Sequence, residues 1–185
     1  MLHLVDAEAG KRRAEVEAAD VLPFEERILA AGRCGAVLPA VILTVDGRRL
    51  IRYDTTGHLC FAAYPFRRLD EVLGALYETP LLLLDAEDWL LRADKFALSG
   101  ETLFVDAKSR RLGLIYGARP DARGGFAEGY ASLLALAGGM EHITGLPAAV
   151  RRIEERVRLE NPDIKNLLRI VETVRREWNY IHPGT

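Results

Sequence analysis

Two hairpins stand out in the pattern of apolar and polar positions. Residues 37–45 form a β-branched, apolar run that stops at Asp46-Gly47, and residues 48–53 then alternate Leu50 with charged neighbours. Asp-Gly is a favoured two-residue turn, so these runs are predicted to pair antiparallel. In the second hairpin, at 102–116, Leu103, Phe104 and Val105 make a short strand, 106–110 a polar turn and 112–116 the return. Weaker alternation at 1–5 and 13–19, around Ala9 and Gly10, suits an opening hairpin. Pro23 begins a helix in which Phe24, Ile28 and Ala31 share a face, and Gly32 ends it. A turn at 54–57 then leaves the sheet.

From Leu69 the period becomes helical, with Leu69, Val72, Leu73 and Leu76 on one face. Pro80 is expected to interrupt it, and 81–91 to continue as a largely apolar helix buried on most sides. Residues 118–125 read as a loop, 126–136 as a helix stopping at Gly138-Gly139, and 147–159 as a helix with Val150, Ile153 and Val157 inward. The last helix has Asn161 as predicted N-cap, Pro162 at the first helical position and Asp163 beside the positive end of the dipole. Its stripe of Ile164, Leu167, Leu168, Val171, Val174 and Trp178 is expected to pack on the domain's own core, with Arg169, Arg175 and Arg176 outside. The expected fold class is α+β. One domain spans 1–185, with a sheet-rich part at 1–54 containing one helix and a helical part at 57–182 containing the 102–116 hairpin.

Composition narrows the function classes. A chain of 185 residues accommodates one domain with a full core. Its formal charge of -2 argues against a general nucleic-acid binder, whose affinity comes from a basic excess. Cys34 and Cys60 lack the close spacing of a metal knuckle, which suits a reduced, cytoplasmic setting. Charges at Lys11, Arg12 and Arg13 forestall a signal-peptide core, and the apolar stretches 36–45 and 81–84 are far short of the roughly 20 residues of a membrane-spanning helix.

Candidate chemistry centres on 95–116. In a protein kinase a comparable hairpin follows a loop with the catalytic Asp and a metal-binding Asn, and ends at a second metal-binding Asp. By strand position those places fall near Ala97, Thr102 and Tyr116, none of them acidic. The opening turn has only Gly10, and the strand 13–19 offers Glu15 and Glu17 but no lysine. Glu25 or Glu26 falls where a helix glutamate would meet that lysine, and both are expected to be solvated. Asp106 reads as a hairpin residue, and Asp85, Glu87 and Asp88 as a solvated acidic turn. His58 and Cys60 share a strand face but make only two ligands, with Cys34 and His142 distant in sequence, so no metal site is expected. No phosphate loop, zinc-protease helix or serine elbow occurs. Basic pairs at Arg110-Arg111, Arg151-Arg152 and Arg175-Arg176 lie near acids such as Glu154, Glu155 and Glu177. They read as a solvated face, or as a docking patch if they converge in space.

Leu38-Pro39, Tyr53-Asp54-Thr55-Thr56-Gly57, Trp89-Leu90-Leu91 and Phe104-Val105-Asp106 carry a family resemblance. Over 21–178 the chain resembles the uncharacterised conserved domain found ahead of forkhead-associated domains in Gram-positive bacterial proteins. That domain is similar to the pseudokinase-type cytoplasmic domain of the type VII secretion membrane component. The resemblance implies a reduced kinase fold, intracellular, that contacts other proteins. With the kinase groups missing, no catalysis and no cofactor are expected; the expected role is as a scaffold in signalling or secretion, and a homodimer is compatible with it. Arg151, Arg152, Arg175 and Arg176 are the first candidates for its contact surface. The alternative is a nucleotide or other small ligand in the residual cleft.

Overall fold

The computed structural model describes residues 2–6, 12–17, 21–117 and 126–181. Over these residues the chain is α+β, with two small antiparallel sheets and five α-helices. The first sheet has the order β1 (Leu2–Asp6), β2 (Arg12–Glu17), β4 (Arg48–Asp54), β3 (Ala40–Val45), with α1 (Pro23–Ala31) between β2 and β3 in sequence. The second has the order β5 (His58–Cys60), β6 (Leu103–Asp106), β7 (Leu112–Leu114). The long helix α2 (Leu69–Asp88) precedes β6, and α3 (Phe126–Gly138), α4 (Leu146–Glu160) and α5 (Ile164–Ile181) follow β7.

Both clear hairpins form. Val45 pairs with Arg48 across a turn in which Asp46 and Gly47 have φ of 50° and 74°, left-handed conformations that Asp and Gly tolerate. Leu103 pairs with Leu114 in the other hairpin. The opening strands also pair, while their predicted turn lies outside the described residues, as does the predicted loop at 118–125. The run 37–45 is not one strand. Pro39 has no N–H to donate and divides it. On one side Leu38 donates to the Leu114 carbonyl at 3.1 Å, so 36–38 joins the second sheet; on the other, 40–45 joins the first.

Three helices differ from expectation. In α1 the fully buried positions are Glu25 and Leu29, whereas Phe24 is 36% exposed, so the inward face is turned away from the apolar stripe. In α2 the helix runs unbroken through Pro80. A proline at this position cannot donate to the carbonyl four residues back, that of Leu76. The buried Tyr130 hydroxyl of α3 donates to that carbonyl instead, at 2.8 Å, and so restores the bond that proline removes. Beyond Pro80 only one side is buried, at Leu83 and Ala86, while Leu81 is exposed.

In α5 the capping residue is Asp163, whose Oδ1 accepts the Asn166 N–H at 2.7 Å. Asn161 instead closes α4 in a left-handed conformation, its N–H donating to the Val157 carbonyl at 3.0 Å. Pro162 follows the C-cap and disfavours the right-handed helical conformation for the residue before it. The α5 stripe packs on the domain core as expected, against α2 and α4. Its buried line is Leu167, Ile170, Val171, Val174 and Trp178; Leu168 is only half-buried. Leu167→Ala should therefore cost about 2–5 kcal/mol in chemical denaturation, and Leu168→Ala less.

The Tyr130 contact gives a sharper expectation. Tyr130→Phe leaves the Leu76 carbonyl buried without its donor and should lower stability by about 1–3 kcal/mol. With Pro80→Ala present as well, the restored backbone N–H can take that carbonyl. A double-mutant cycle should then show most of the Tyr130→Phe cost disappearing.

Candidate functional site

The first sheet meets the helical part of the chain at a buried polar cluster. Pro23 opens α1 and places Glu25 where its carboxylate can reach back to the helix start, and the Leu22 N–H donates to Glu25 Oε2 at 2.7 Å. The Lys95 ammonium donates to both carboxylate oxygens, each at 2.8 Å. The Tyr116 hydroxyl donates to Oε1 at 2.7 Å and accepts the Arg92 N–H at 3.3 Å. Tyr53 of β4 completes the seam: its hydroxyl donates to the Tyr116 carbonyl at 2.5 Å and accepts the Tyr116 N–H at 3.1 Å. Glu25, Tyr53 and Tyr116 have no solvent exposure.

Lys95 is held from its own side. It ends a single 3-10 turn, and its carbonyl accepts the Gly117 N–H at 2.9 Å. Phe96 bridges to Tyr116, and their rings lie edge to face at 4.9 Å. The expectation that Glu25 is solvated and lacks a lysine is therefore corrected. Its lysine comes from 70 residues further along the chain rather than from β2. Glu26 is also largely covered, paired through Oε2 with Arg49.

Two opposed effects act on the Glu25 carboxyl. Burial raises its pKa, but hydrogen bonds from Lys95, the Leu22 N–H and Tyr116, with the Lys95 charge, outweigh it and hold the carboxyl below its ordinary 4.5. Burial, reinforced by the Glu25 bond, pushes the Tyr116 hydroxyl far above its ordinary range. Tyr116 therefore remains a donor, and Glu25 an acceptor, at neutral pH.

The three positions compared with kinase catalytic groups are all buried: Ala97, Thr102 and Tyr116. Thr102 Oγ1 donates to the Ala97 carbonyl at 2.6 Å, so two of them close the same loop. Asp106 is a turn residue; it accepts the Ser109 and Lys108 N–H groups at 2.5 and 3.0 Å, which hold its carboxyl below the ordinary range. His58 lies 3.9 Å from Asp106 across the β5–β6 pair. Among the described residues no three His, Cys, Asp or Glu side chains are arranged so that they could hold a metal ion, and no helix is long and apolar enough to cross a membrane.

The arginines of the expected contact patch have different settings. Arg151 is exposed. Arg152 lies over the Trp178 ring at 5.8 Å and Arg175 over the Tyr77 ring at 5.7 Å. Arg176 pairs with Glu172 at 2.5 Å, one turn back on α5. Glu177, expected near these pairs, bonds to Arg156 instead. Of the three basic pairs, Arg110 and Arg175 line one groove beside α2, and Arg151 and Arg152 are not part of it. Among known proteins, no family model and no curated sequence matches the chain.

Removing one partner of the seam is expected to cost about 3–5 kcal/mol, because the other is left buried and charged. Lys95→Met should show this in urea denaturation. The pH dependence has a definite sign. Glu25 binds its proton less readily in the folded than in the unfolded chain, so its contribution is complete above its ordinary value of 4.5 and is lost as pH falls through the lower, folded value. The stability difference between the native protein and Glu25→Gln should shrink across that window. Comparing the two isolates Glu25 from Glu71 and Asp106, which titrate in the same direction.

Proposed function

We propose that this chain is a non-catalytic, pseudokinase-type protein-interaction domain acting as a scaffold in a bacterial signalling or secretion assembly. One observation carries the non-catalytic part: Tyr116, which stands where the kinase comparison puts a metal-binding Asp, is buried and committed to Glu25 and Tyr53, and Glu25 in turn is taken up by Lys95. Phosphoryl transfer depends on positioned charges and metal ligands. Here the compared positions carry Ala97, Thr102 and Tyr116, and the two hydroxyls among them are held by bonds within the fold, Thr102 to the Ala97 carbonyl and Tyr116 to Glu25. The order of elements lends further support: a small sheet containing one helix, a long helix, a hairpin, then helices. Fold alone does not define function, so the interaction role rests on the family resemblance and on the surfaces left open.

A second reading draws on Lys95, whose side chain keeps 16% exposure while bound to Glu25. An acid-lysine pair is the device by which kinases hold nucleotide phosphates. A phosphate that drew Lys95 away would leave Glu25 buried without its cation, a cost of about 3–5 kcal/mol that disfavours a ligand there.

Thermal unfolding with ATP and magnesium decides between the two. A ligand present at about 100 times its dissociation constant stabilises the folded state by ~2.7 kcal/mol, which for a chain of this size raises the midpoint by several degrees. The expected result is an unchanged midpoint. A rise abolished by Lys95→Met, compared in a variant pair that both remain folded, would replace the scaffold assignment with nucleotide binding.

A further inference from the structure

β3 lies at the edge of the first sheet and is paired on one side only, with β4. The phase of that pairing decides which of its backbone groups face away. In an antiparallel ladder, residues that bond to the neighbouring strand alternate with residues whose N–H and C=O point outward. The Asp54 N–H donates to the Pro39 carbonyl at 2.8 Å, so Pro39 bonds toward β4, and so does every second residue after it: Val41, Leu43 and Val45. Ala40, Ile42 and Thr44 direct their N–H and C=O groups away from the sheet, and among the described residues no backbone group bonds to them.

This edge lacks the usual protections, which are charges, proline, a bulge or a covering element. The strand reads Ala, Val, Ile, Leu, Thr, Val, with no charge and no proline. Cross-strand partners share a face, so Ala40, Ile42 and Thr44 lie on the inner face with the buried Tyr53 and Ile51, and Val41, Leu43 and Val45 on the outer. α1 is tied to the inner face, where Glu26 pairs with Arg49, the residue opposite Thr44. On the outer face Val41 is 53% exposed and Val45 44%.

We propose that β3 pairs antiparallel with β3 of a second copy of this chain, about a two-fold axis at Ile42, and so joins two four-stranded sheets into one continuous sheet. The register is what selects a second copy. The outward residues, at 40, 42 and 44, are spaced symmetrically about Ile42. Turned end for end, the strand sets Ile42 opposite Ile42 and Ala40 opposite Thr44, so that each outward donor and acceptor meets its complement. A slip of one residue would set outward groups against groups already used by β4. A slip of two would leave one outward residue of each strand unpaired.

Side chains and charges agree with the same register. Val41 faces Leu43 of the second copy in a non-hydrogen-bonded pair, where side chains approach most closely, so the most exposed apolar residue of the strand gains an apolar neighbour. No like charges are opposed: β3 carries none, and Arg49 and Arg52 of β4 are paired within each copy with Glu26 and Glu15. Pro39 at one end and the Asp46-Gly47 turn at the other stop the strand, so the pairing uses its whole outward edge. The dimer is independent of which functional reading holds, scaffold or nucleotide binder.

Sedimentation velocity of the full chain tests this. Pairing along one strand edge belongs to the small end of specific interfaces, so monomer and dimer should be equal at roughly 10–100 µM. Thr44→Pro removes an outward N–H that β4 does not use, and should weaken the dimer about tenfold or more while leaving the melting midpoint of the dilute protein nearly unchanged. Charge exchange then checks the register. A chain with Val41→Lys and Leu43→Lys and a chain with Val41→Glu and Leu43→Glu should each stay monomeric, whereas their equimolar mixture should dimerise, because position 41 of one copy faces position 43 of the other. In hydrogen exchange the Ile42 and Thr44 amides should slow as concentration rises, while those of Leu43 and Val45 keep the same protection. A chain that stays monomeric at about 200 µM, well above that range, overturns the proposal and leaves the edge to a strand of another protein. Growth beyond a dimer overturns it as well, and so does a dimer unaffected by Thr44→Pro and by the charged variants. The scaffold reading fails separately, if ATP raises the midpoint through Lys95.

Discussion

A carboxylate cannot be buried alone. Even after relaxation, removing an ion from water costs several kcal/mol, so a charge with no exposure has to be surrounded by donors and an opposite charge. Glu25 meets that condition with Lys95, the Tyr116 hydroxyl and the Leu22 N–H, contributed by three separate stretches of chain. The requirement fixes how α1 sits on the rest of the molecule. It also explains why α1 turns Glu25 and Leu29 inward while Phe24 stays partly in solvent. Tyr53 extends the constraint to the first sheet, because its hydroxyl satisfies both backbone groups of Tyr116.

The same logic of replaced partners recurs in α2. Pro80 removes a backbone donor, and Tyr130 supplies a hydroxyl to the carbonyl left behind. The helix can then run as one piece beneath both the second sheet and α5. That continuity gives the groove beside α2 its floor: a helix broken at Pro80 would not align Asp70, Gly74 and Leu81 along one face. Polar side chains thus do work that backbone ladders do elsewhere, in the seam and in the longest helix alike.

Features that were legible from sequence are those set by neighbouring residues. Asp46-Gly47 between apolar runs defines its hairpin locally, and the 102–116 hairpin follows the same rule. The α5 stripe was legible in its period, though Ile170 rather than Leu168 lies inward. What depends on distant partners was not legible. Glu25 lies three residues into a helix start, a position where acids are common on the surface, and no spacing connects it to Lys95. The continuity of α2 depends on a hydroxyl 54 residues away. The division at Pro39 could have been foreseen, since proline cannot donate within a sheet.

Sequence separation gives the seam a kinetic role. Glu25 is 70 residues from Lys95 and 91 from Tyr116, so the contacts close long loops and their entropic cost comes before their reward. Hairpins with two-residue turns form in microseconds, long before such loops need to close. Glu25 therefore spends most of the folding reaction hydrated, and loses its water only as the last packing is completed. Interactions absent from the transition state act on the unfolding rate. The lifetime of the native state, more than the speed of reaching it, is what this buried carboxylate governs.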